Sequence, residues 1–205
     1  MGRRSDHSRA ELEALTLQEG HLLMAEVGFA RFSAREVAKR VGYSIGTIYN
    51  VWGNLDRLLA AINSHSFTIW AEDMRARLGQ AGDDRVAALV AGYFAFARTR
   101  TNLWTAIYDH RLPPGATLSE ADERQRGALT EIALSEIARA LDWQDAEDAR
   151  ALTRSLIATV HGHCSLELTG AFALMGEPDA EAQALARVRE AIAAARPVQR
   201  SPRRV

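Results

Sequence analysis

Few side chains in this sequence have the spacing of a catalytic or metal-binding site. Cys164 follows His161 by one helical turn, an arrangement that allows a thiolate pair or half of a metal site. The run Asp109-His110-Arg111 lies beside an aromatic segment and can hold an acidic ligand. A small core thiol beside a hydrogen-bonded histidine, and a solvated helix end, are the more common explanations of these two patterns. We therefore predict no catalytic residue, no metal site and no cofactor.

A second group of polar side chains is suited to contact with double-stranded DNA. Thr47 and Tyr49 can hold phosphates, while the guanidinium of Arg35 suits guanine and the carboxamide of Asn50 suits adenine. A surface ion pair is the alternative explanation for Arg35. The full set of predicted DNA contacts is Ser33, Arg35, Tyr43, Ser44, Gly46, Thr47, Tyr49 and Asn50.

Two short helices must position these side chains. The spacing predicts the first over Ala34–Val41, with Ser33 as N-cap and Glu36 at the third helical position of a capping box. Gly42 then ends this helix, because glycine takes the left-handed conformation that a sharp corner requires. Ser44 caps the second helix. The pattern is that of a helix-turn-helix.

Apolar spacing predicts a small core beneath the two helices. The inner residues of the first are Val37, Ala38 and Val41, and those of the second are Ile48 and Trp52, one turn apart.

A longer helix over about Arg9–Val27 precedes this pair, with Leu17, Gly20, Met24 and Val27 at helical spacing. Glycine inside a helix costs about 1 kcal/mol relative to alanine. We therefore expect a neighbouring backbone to approach Gly20 closely.

These residues resemble the tetracycline-repressor (TetR) family of bacterial transcriptional regulators. The resemblance covers roughly the first 60 residues, and its motifs lie in order without gaps: Ala34, Val37-Ala38, Val41-Gly42, Ser44, Gly46-Thr47-Ile48-Tyr49, Trp52 and Leu58-Leu59. It implies a dimer that reads an inverted-repeat DNA operator. The sequence departs from the family at Val51 and Leu55, where a His and a Lys often touch phosphate. Phosphate contacts at these two positions are therefore in doubt.

Helical periodicity continues along the rest of the chain, with no alternation typical of strands. The predicted class is all-α with about nine helices, the later ones over 55–78, 83–100, 103–110, 120–141, 146–172 and 179–195. We predict a DNA-binding domain over 1–54, a helical ligand-binding and dimerisation domain over 55–196, and a disordered basic tail over 197–205.

Composition and charge exclude some classes of protein. The chain has 205 residues, 47% of them hydrophobic, which is enough for a sizeable core. Its net charge of −1 excludes a polycation that coats nucleic acid indiscriminately. The single cysteine, and the lack of an apolar run of membrane or signal-peptide type, predict a soluble cytoplasmic protein without a membrane partner.

Aromatic residues are concentrated in the middle of the chain. Their spacing alone favours a core, but so many aromatics in an all-α domain can also leave an apolar cavity with a few polar groups. Because this half of TetR-family proteins binds the inducer, the resemblance implies a small-molecule site here. The candidates are Trp70, Tyr93, Phe96, Trp104, Tyr108, Arg111 and His161. Trp104 and the His161-Gly162 pair also resemble, more weakly, the C-terminal domain type of this family that is named for its Trp and His-Gly residues.

The helix predicted over 146–172 is rich in small residues, which allow close helix packing. In the family, this helix and the last one pair with their symmetry mates as a four-helix bundle, so the resemblance implies a homodimer. The candidate interface residues are Leu156, Thr159, Gly162, Leu166, Gly170, Leu185 and Val188.

Two hypotheses of different class follow. The favoured one is a dimeric DNA-binding repressor that a small-molecule inducer releases from its operator. The alternative is an all-α binding protein or enzyme in which the helix-turn-helix serves only packing. Specific operator binding distinguishes them.

Overall fold

A computed structural model describes residues 7–143 and 146–196. Within these ranges the chain is all-α, as predicted, and contains no strand. None of the described helices is long and apolar enough to cross a membrane. The predicted basic tail, 197–205, lies outside the described residues. The helices are α1 (Arg9–Val27), α2 (Ala34–Val41), α3 (Ile45–Trp52), α4 (Leu55–Gly79), α5 (Arg85–Thr99), α6 (Thr101–Asp109), α7 (Glu120–Leu141), α8 (Ala146–Leu168), α9 (Ala171–Leu174) and α10 (Ala180–Ala195), with a 3-10 turn at Phe29–Arg31.

The helix bounds lie within two residues of the predicted ones except near residue 170. The predicted helix over 146–172 is wrong at its C-terminal end, since α8 ends at Leu168 and a separate one-turn α9 follows. Gly170 separates the two with φ 76° and ψ 0°, a left-handed conformation that an α-helix cannot contain. This break accounts for ten described α-helices where about nine are predicted.

The chain divides by packing into two compact units. The first contains the described residues up to 72 together with 96–129, and the second contains 73–95 with the described residues from 130 onwards. This division does not coincide with the domain boundary predicted after residue 54. The reason is that α6 packs on α1 and contributes Leu103 and Ala106 to the core beneath the helix-turn-helix.

The core of the first unit confirms the inner faces predicted for α2 and α3. Val37 and Ile48 are fully buried, and Ala38 is 2% exposed. Trp52 packs against this core, and its indole Nε1 donates a hydrogen bond to Thr16 Oγ1 at 2.9 Å. The hydroxyl of Thr16 in turn donates to the carbonyl of Leu12, 2.7 Å away. Helix α3 is thereby fixed to α1 by both apolar contact and hydrogen bonds.

The buried face of α1 is rotated slightly about the helix axis relative to the predicted face. Gly20 and Met24 are buried as expected, but Leu17 and Val27 are only partly so, and Leu12, Thr16 and Leu23 complete the face. The expectation of a neighbouring backbone at Gly20 is wrong. A side chain fills the space instead, because a Cβ at Gly20 would lie 2.8 Å from Ile62 Cδ1 on α4.

The second unit contains a partly buried ion pair and a helix pair. Glu136 accepts hydrogen bonds from Arg85 Nε (2.6 Å) and Nη2 (2.7 Å), while Arg85 Nη1 donates to the carbonyl of Leu78 at 2.9 Å. The guanidinium holds the pKa of the Glu136 carboxyl below its usual value. Helix α8 packs along α10, whose buried residues include Ala184 and Val188.

The contact between Gly20 and Ile62 predicts that two glycine-to-alanine substitutions change the free energy of unfolding in opposite directions. Gly20→Ala should lower the free energy of unfolding by about 1 kcal/mol, because overpacking against Ile62 outweighs the gain in helix propensity. Gly127→Ala is the matched control on α7, where an added Cβ meets nothing within 4 Å. It should stabilise the chain by about 0.5–1 kcal/mol. Urea denaturation measures both changes. A Gly20→Ala loss that persists unchanged in an Ile62→Val background would contradict the assigned contact.

Candidate nucleic-acid interface

Helix α3 begins at a capped N-terminus. Ser44 Oγ accepts a hydrogen bond from the backbone N–H of Thr47 at 3.1 Å, and the two hydroxyl oxygens lie 2.9 Å apart. The predicted cap at Ser44 is thus present. Because Ile48 is buried, the opposite side of this helix faces outward, and it carries Gly46, Tyr49 and Asn50, all exposed. A small residue, a phenol and a carboxamide are therefore presented together on one short surface.

The corner before α3 has the geometry that the sequence predicts. Gly42 has φ 76° and ψ 27°, which is left-handed, and the N–H of Tyr43 donates to the carbonyl of Ala38 at 2.9 Å. The Tyr43 hydroxyl lies 2.6 Å from Nδ1 of His7. Tyr43 is therefore linked to the segment that precedes α1.

The capping box predicted at the start of α2 is wrong. Ser33 occupies the N-cap position in an extended conformation, but its side chain makes no capping hydrogen bond. Glu36 instead forms ion pairs along its own helix, at 3.7 Å to Lys39 and 4.0 Å to Arg40. These cations at i+3 and i+4 compete with the N-cap for the same carboxylate.

The basic residues around the two helices differ in their roles. Arg40 donates two hydrogen bonds to Glu26 on α1, at 3.0 and 2.5 Å, which raises the pKa of Arg40 and lowers that of Glu26. It thus ties α2 to α1. Arg35 is exposed, and the Lys39 side chain keeps 79% of its accessible surface. Arg35 and Lys39 are thus two exposed cations of α2.

Two further residues at this site were missed by the sequence analysis. His7 contacts Tyr43, and Arg9 Nη2 donates to the carbonyl of Val51 near the C-terminal end of α3, at 3.1 Å. Both contacts join residues at least 36 positions apart, so no local pattern indicates them. Leu55, which replaces a frequent phosphate-binding Lys, packs against the core, and Val51 is partly buried. Neither side chain can donate a hydrogen bond to phosphate.

The structure places six of the seven predicted ligand residues in contact with another member of the set. In the first unit the rings of Trp70 and Phe96 stack with centroids 4.5 Å apart, and those of Trp104 and Tyr108 lie 5.1 Å apart. Arg111 is exposed. That all seven residues serve one ligand stays a prediction.

The second unit holds the two remaining candidates. The hydroxyl of Tyr93 lies 2.9 Å from Nδ1 of His161, and burial lowers the pKa of that imidazole. Cys164, one turn further along α8, is buried. His161 is thus a hydrogen-bonded histidine next to a core thiol.

The predicted dimer residues do not all lie on one surface. Leu156 and Val188 are 5% and 3% exposed, so the packing of their own chain covers them and they are unavailable to a second copy. Gly170 lies beyond the end of α8. Leu166 is 39% exposed, and Thr159, Gly162 and Leu185 are partly exposed.

Comparison with known families identifies both halves of this fold. Residues 17–62 match the model described as "Bacterial regulatory proteins, tetR family", and residues 86–189 match "Tetracyclin repressor-like, C-terminal domain". The chain belongs to the tetracycline-repressor family. It therefore has the fold of a TetR-family transcriptional regulator, with α2, α3 and the part of α1 from residue 17 onwards inside the N-terminal match. The resemblance to the Trp and His-Gly type of C-terminal domain stays a prediction, since neither description mentions it.

Solved structures share the TetR fold over nearly their whole length. A protein of unknown function from Rhodococcus sp. RHA1 has a TM-score of 0.71 at 18% identity, covering 94% of this chain and 98% of that one. The multidrug binding protein EbrR, complexed with imidazole, has 0.62 at 20%, covering 96% and 100%. A TetR transcription regulator from Haloarcula marismortui ATCC 43049 has 0.60 at 18%, covering 90% and 98%. A search of curated proteins gives no significant match.

The two serines at the helix starts of this TetR domain should differ in their effect on stability. Ser44→Ala removes the oxygen that accepts from Thr47 N–H, so it should lower the free energy of unfolding by about 1 kcal/mol. Ser33→Ala is the matched control, and it should change stability by less than about 0.5 kcal/mol because Ser33 Oγ makes no capping bond. Denaturant unfolding compares the two. Equal losses would show that the caps at Ser33 and Ser44 are equivalent.

Proposed function

We propose that this TetR-family regulator is a dimeric repressor that binds an inverted-repeat operator through α2 and α3. The observation that carries the proposal is the division of α3 into two faces. Ile48 is fully buried, whereas Tyr49 on the next position is 39% exposed and Asn50 is also exposed. A helix held rigidly by one face while the other presents a phenol and a carboxamide suits insertion in a major groove.

We assign the contacts within each half-site by chemistry. Thr47 and Tyr49 hold phosphates, which fixes the register of the protein on the duplex without reading sequence. Arg35 and Asn50 read base edges, guanine and adenine respectively. The dimer carries two copies of α2 and α3 related by a two-fold axis. They require an operator with inverted half-sites in successive major grooves. A protein with this role acts in the cytoplasm, where the bacterial chromosome lies.

Substitutions at Arg35 and Tyr49 should have different consequences for sequence preference. Arg35→Ala should relax discrimination at one base pair of each half-site by about 1–3 kcal/mol, since a bidentate contact to guanine is lost. Tyr49→Phe should weaken binding to all sequences alike, since a phosphate contact carries no base information. Binding to an operator library with every single-base change, at fixed salt, measures both effects.

Arg124→Ala is the control for the Arg35 variant. Arg124 is an exposed α7 cation whose partner, Glu120, lies 3.5 Å away one turn earlier. Its removal should leave affinity and preference unchanged. Equal loss across all single-base operators for Arg35→Ala would refute base reading by Arg35, and binding of the parent that is insensitive to sequence would refute the repressor proposal itself.

We propose that the dimer forms through the exposed side of α8 and the segment that follows it. A Cβ added at Gly162 would meet nothing within 4 Å in its own chain, so this side of the helix is open. Leu166 lies one turn further along, and beyond α8 Leu174 and Met175 are 91% and 67% exposed. Together these residues present apolar surface in the second unit of the kind that a second copy buries.

Gly162→Leu should weaken the dimer without unfolding the chain. The Cβ of the added side chain meets nothing within 4 Å in its own protomer, but at a closely packed interface the leucine should cost about 1–3 kcal/mol. Gly127→Leu, at an equally open helical glycine on α7, is the control and should leave association unchanged. Analytical ultracentrifugation over a concentration series measures both. A parent protein that is monomeric at micromolar concentration would contradict the dimer.

We further propose that a largely apolar small molecule releases the repressor. Support comes from the stacked Trp70–Phe96 pair and the tilted Trp104–Tyr108 pair of the first unit, and from EbrR, a multidrug binding protein of this fold. A release of about 100-fold requires a coupling free energy of roughly 2.7 kcal/mol. A few apolar contacts that exist in only one conformation are sufficient for this. An anionic group on the ligand would lie near Arg111.

Tyr108→Ala should reduce the response to such an inducer. Tyr108 is 39% exposed, so its truncation removes ligand contacts while sparing the core, whereas Trp104→Ala would open a cavity at a side chain that is only 5% exposed. We expect the inducer concentration for half-release to rise about tenfold, with operator affinity unchanged. Fluorescence anisotropy of labelled operator during titration with hydrophobic compounds measures this. Unchanged release would place the ligand elsewhere.

A further inference from the structure

A half-open cavity of about 420 Å³ lies in the first unit, apart from every residue assigned above. One wall is α1, with His21 and Leu22, and the other is the junction between α5 and α6, residues 99–103. The junction is tied to α1, because Asn102 Nδ2 donates to the carbonyl of Ala25 at 2.8 Å. The cavity is therefore a built feature of one compact unit.

The charge of this cavity is positive. Arg100 supplies the guanidinium of the lining, and none of the described lining residues is acidic. Its backbone is fixed at the helix junction by a hydrogen bond from its N–H to the carbonyl of Phe96 (2.8 Å). Its guanidinium carbon lies 5.3 Å from the centroid of the Phe96 ring, in a cation-π arrangement. Five N–H donors in one plane allow such a group to bind a carboxylate in addition to other partners.

The rest of the lining is apolar or uncharged. Leu22 and Leu103 provide aliphatic surface, and Thr99 and Thr101 provide hydroxyls. A single guanidinium fork matches the two oxygens of one carboxylate, whereas a phosphate group normally requires more cations or a set of backbone N–H groups. The combination suits an organic acid with a short apolar body.

We propose that this cavity binds a small organic carboxylate, with its oxygens at the Arg100 guanidinium and its apolar part against Leu22 and Leu103. The lining contains none of the proposed inducer residues, although Arg100 lies over the ring of Phe96, which is one of them. Its existence does not depend on DNA binding or on dimer formation by this chain.

His21 provides an internal reporter of occupancy. Its Nε2 is buried and has no hydrogen-bond partner among the described residues, and its ring meets that of His65 edge to face, with centroids 4.8 Å apart. Burial, together with the charges of His65 and Arg100, lowers the pKa of His21 to about 4. A bound anion opposes these effects on His21, so it should raise that pKa. Binding then takes up protons and strengthens as the pH falls.

The test uses benzoate as the probe and benzamide as its uncharged isostere, added to the full-length protein at constant ionic strength. NMR should show saturable shifts at the side-chain amide of Asn102 and the ring of His21, with a Kd of about 1 mM. Benzamide should bind at least tenfold more weakly. Equal binding of the two compounds, or shifts that do not saturate, would overturn the proposal.

Three arginine variants test whether Arg100 binds the carboxylate. Arg100→Gln should weaken benzoate binding at least tenfold, whereas Arg98→Gln, an exposed residue of α5 outside the lining, should not change it. Arg100→Lys keeps the positive charge but loses the planar fork of the guanidinium, so it should give an intermediate affinity. This variant provides the test if the Gln variant fails to fold. Affinity that is unaffected by either Arg100 variant would overturn the proposal.

The pH dependence supplies a further readout. Benzoate should bind at least twofold more tightly at pH 5.5 than at pH 7.5, and this difference should vanish in His21→Gln. His65 also faces the ring of His21, so a pH dependence that persists in His21→Gln would show that His21 is not the group that takes up the proton, and would overturn its role as the reporter.

Discussion

The position of α3 against α1 is the constraint on which the DNA-binding surface depends. An isolated helix of eight residues has little stability in water, so its conformation and direction must come from tertiary contacts. Ile48 is buried completely, and the Trp52 indole is held by Thr16, which is itself bonded to the α1 backbone. Arg9 adds a bond to the far end of α3. The outward residues of α3 are therefore placed as firmly as α1 is.

Features set by neighbouring residues in the chain could be predicted from sequence. The corner at Gly42 and the cap at Ser44 depend on φ preference and on a side-chain oxygen three residues from its donor, and both were predicted. Helix α1 also has its predicted bounds. Where two local partners compete for one side chain, the sequence spacing does not show which of them that side chain contacts. Glu36 can reach the N-cap or the cations of its own helix, and only the structure shows that it contacts Lys39 and Arg40.

Contacts that depend on how the helices cross could not be predicted from the sequence. Nothing in the pattern around Gly20 identifies Ile62 as its neighbour, because that contact depends on how α4 crosses α1. The same limit applies to the apolar stripes of α8 and α10. Periodicity shows that Leu156 and Val188 are apolar positions on a helix face, but it does not distinguish a face covered by the same chain from one available to a partner. The pairing of Tyr93 with His161 likewise joins residues 68 positions apart.

The contribution of α6 to the helix-turn-helix core affects how the protein folds during synthesis. Leu103 and Ala106 complete a core whose other members lie before residue 63, and Asn63 donates to the carbonyl of Ala106 at 3.1 Å. At about 5–20 residues per second the ribosome needs a few seconds to translate the stretch between them. During that interval Met24, Ile48 and Ile62 lack their last partners. The helix-turn-helix core is therefore complete only after the chain has been translated past its midpoint.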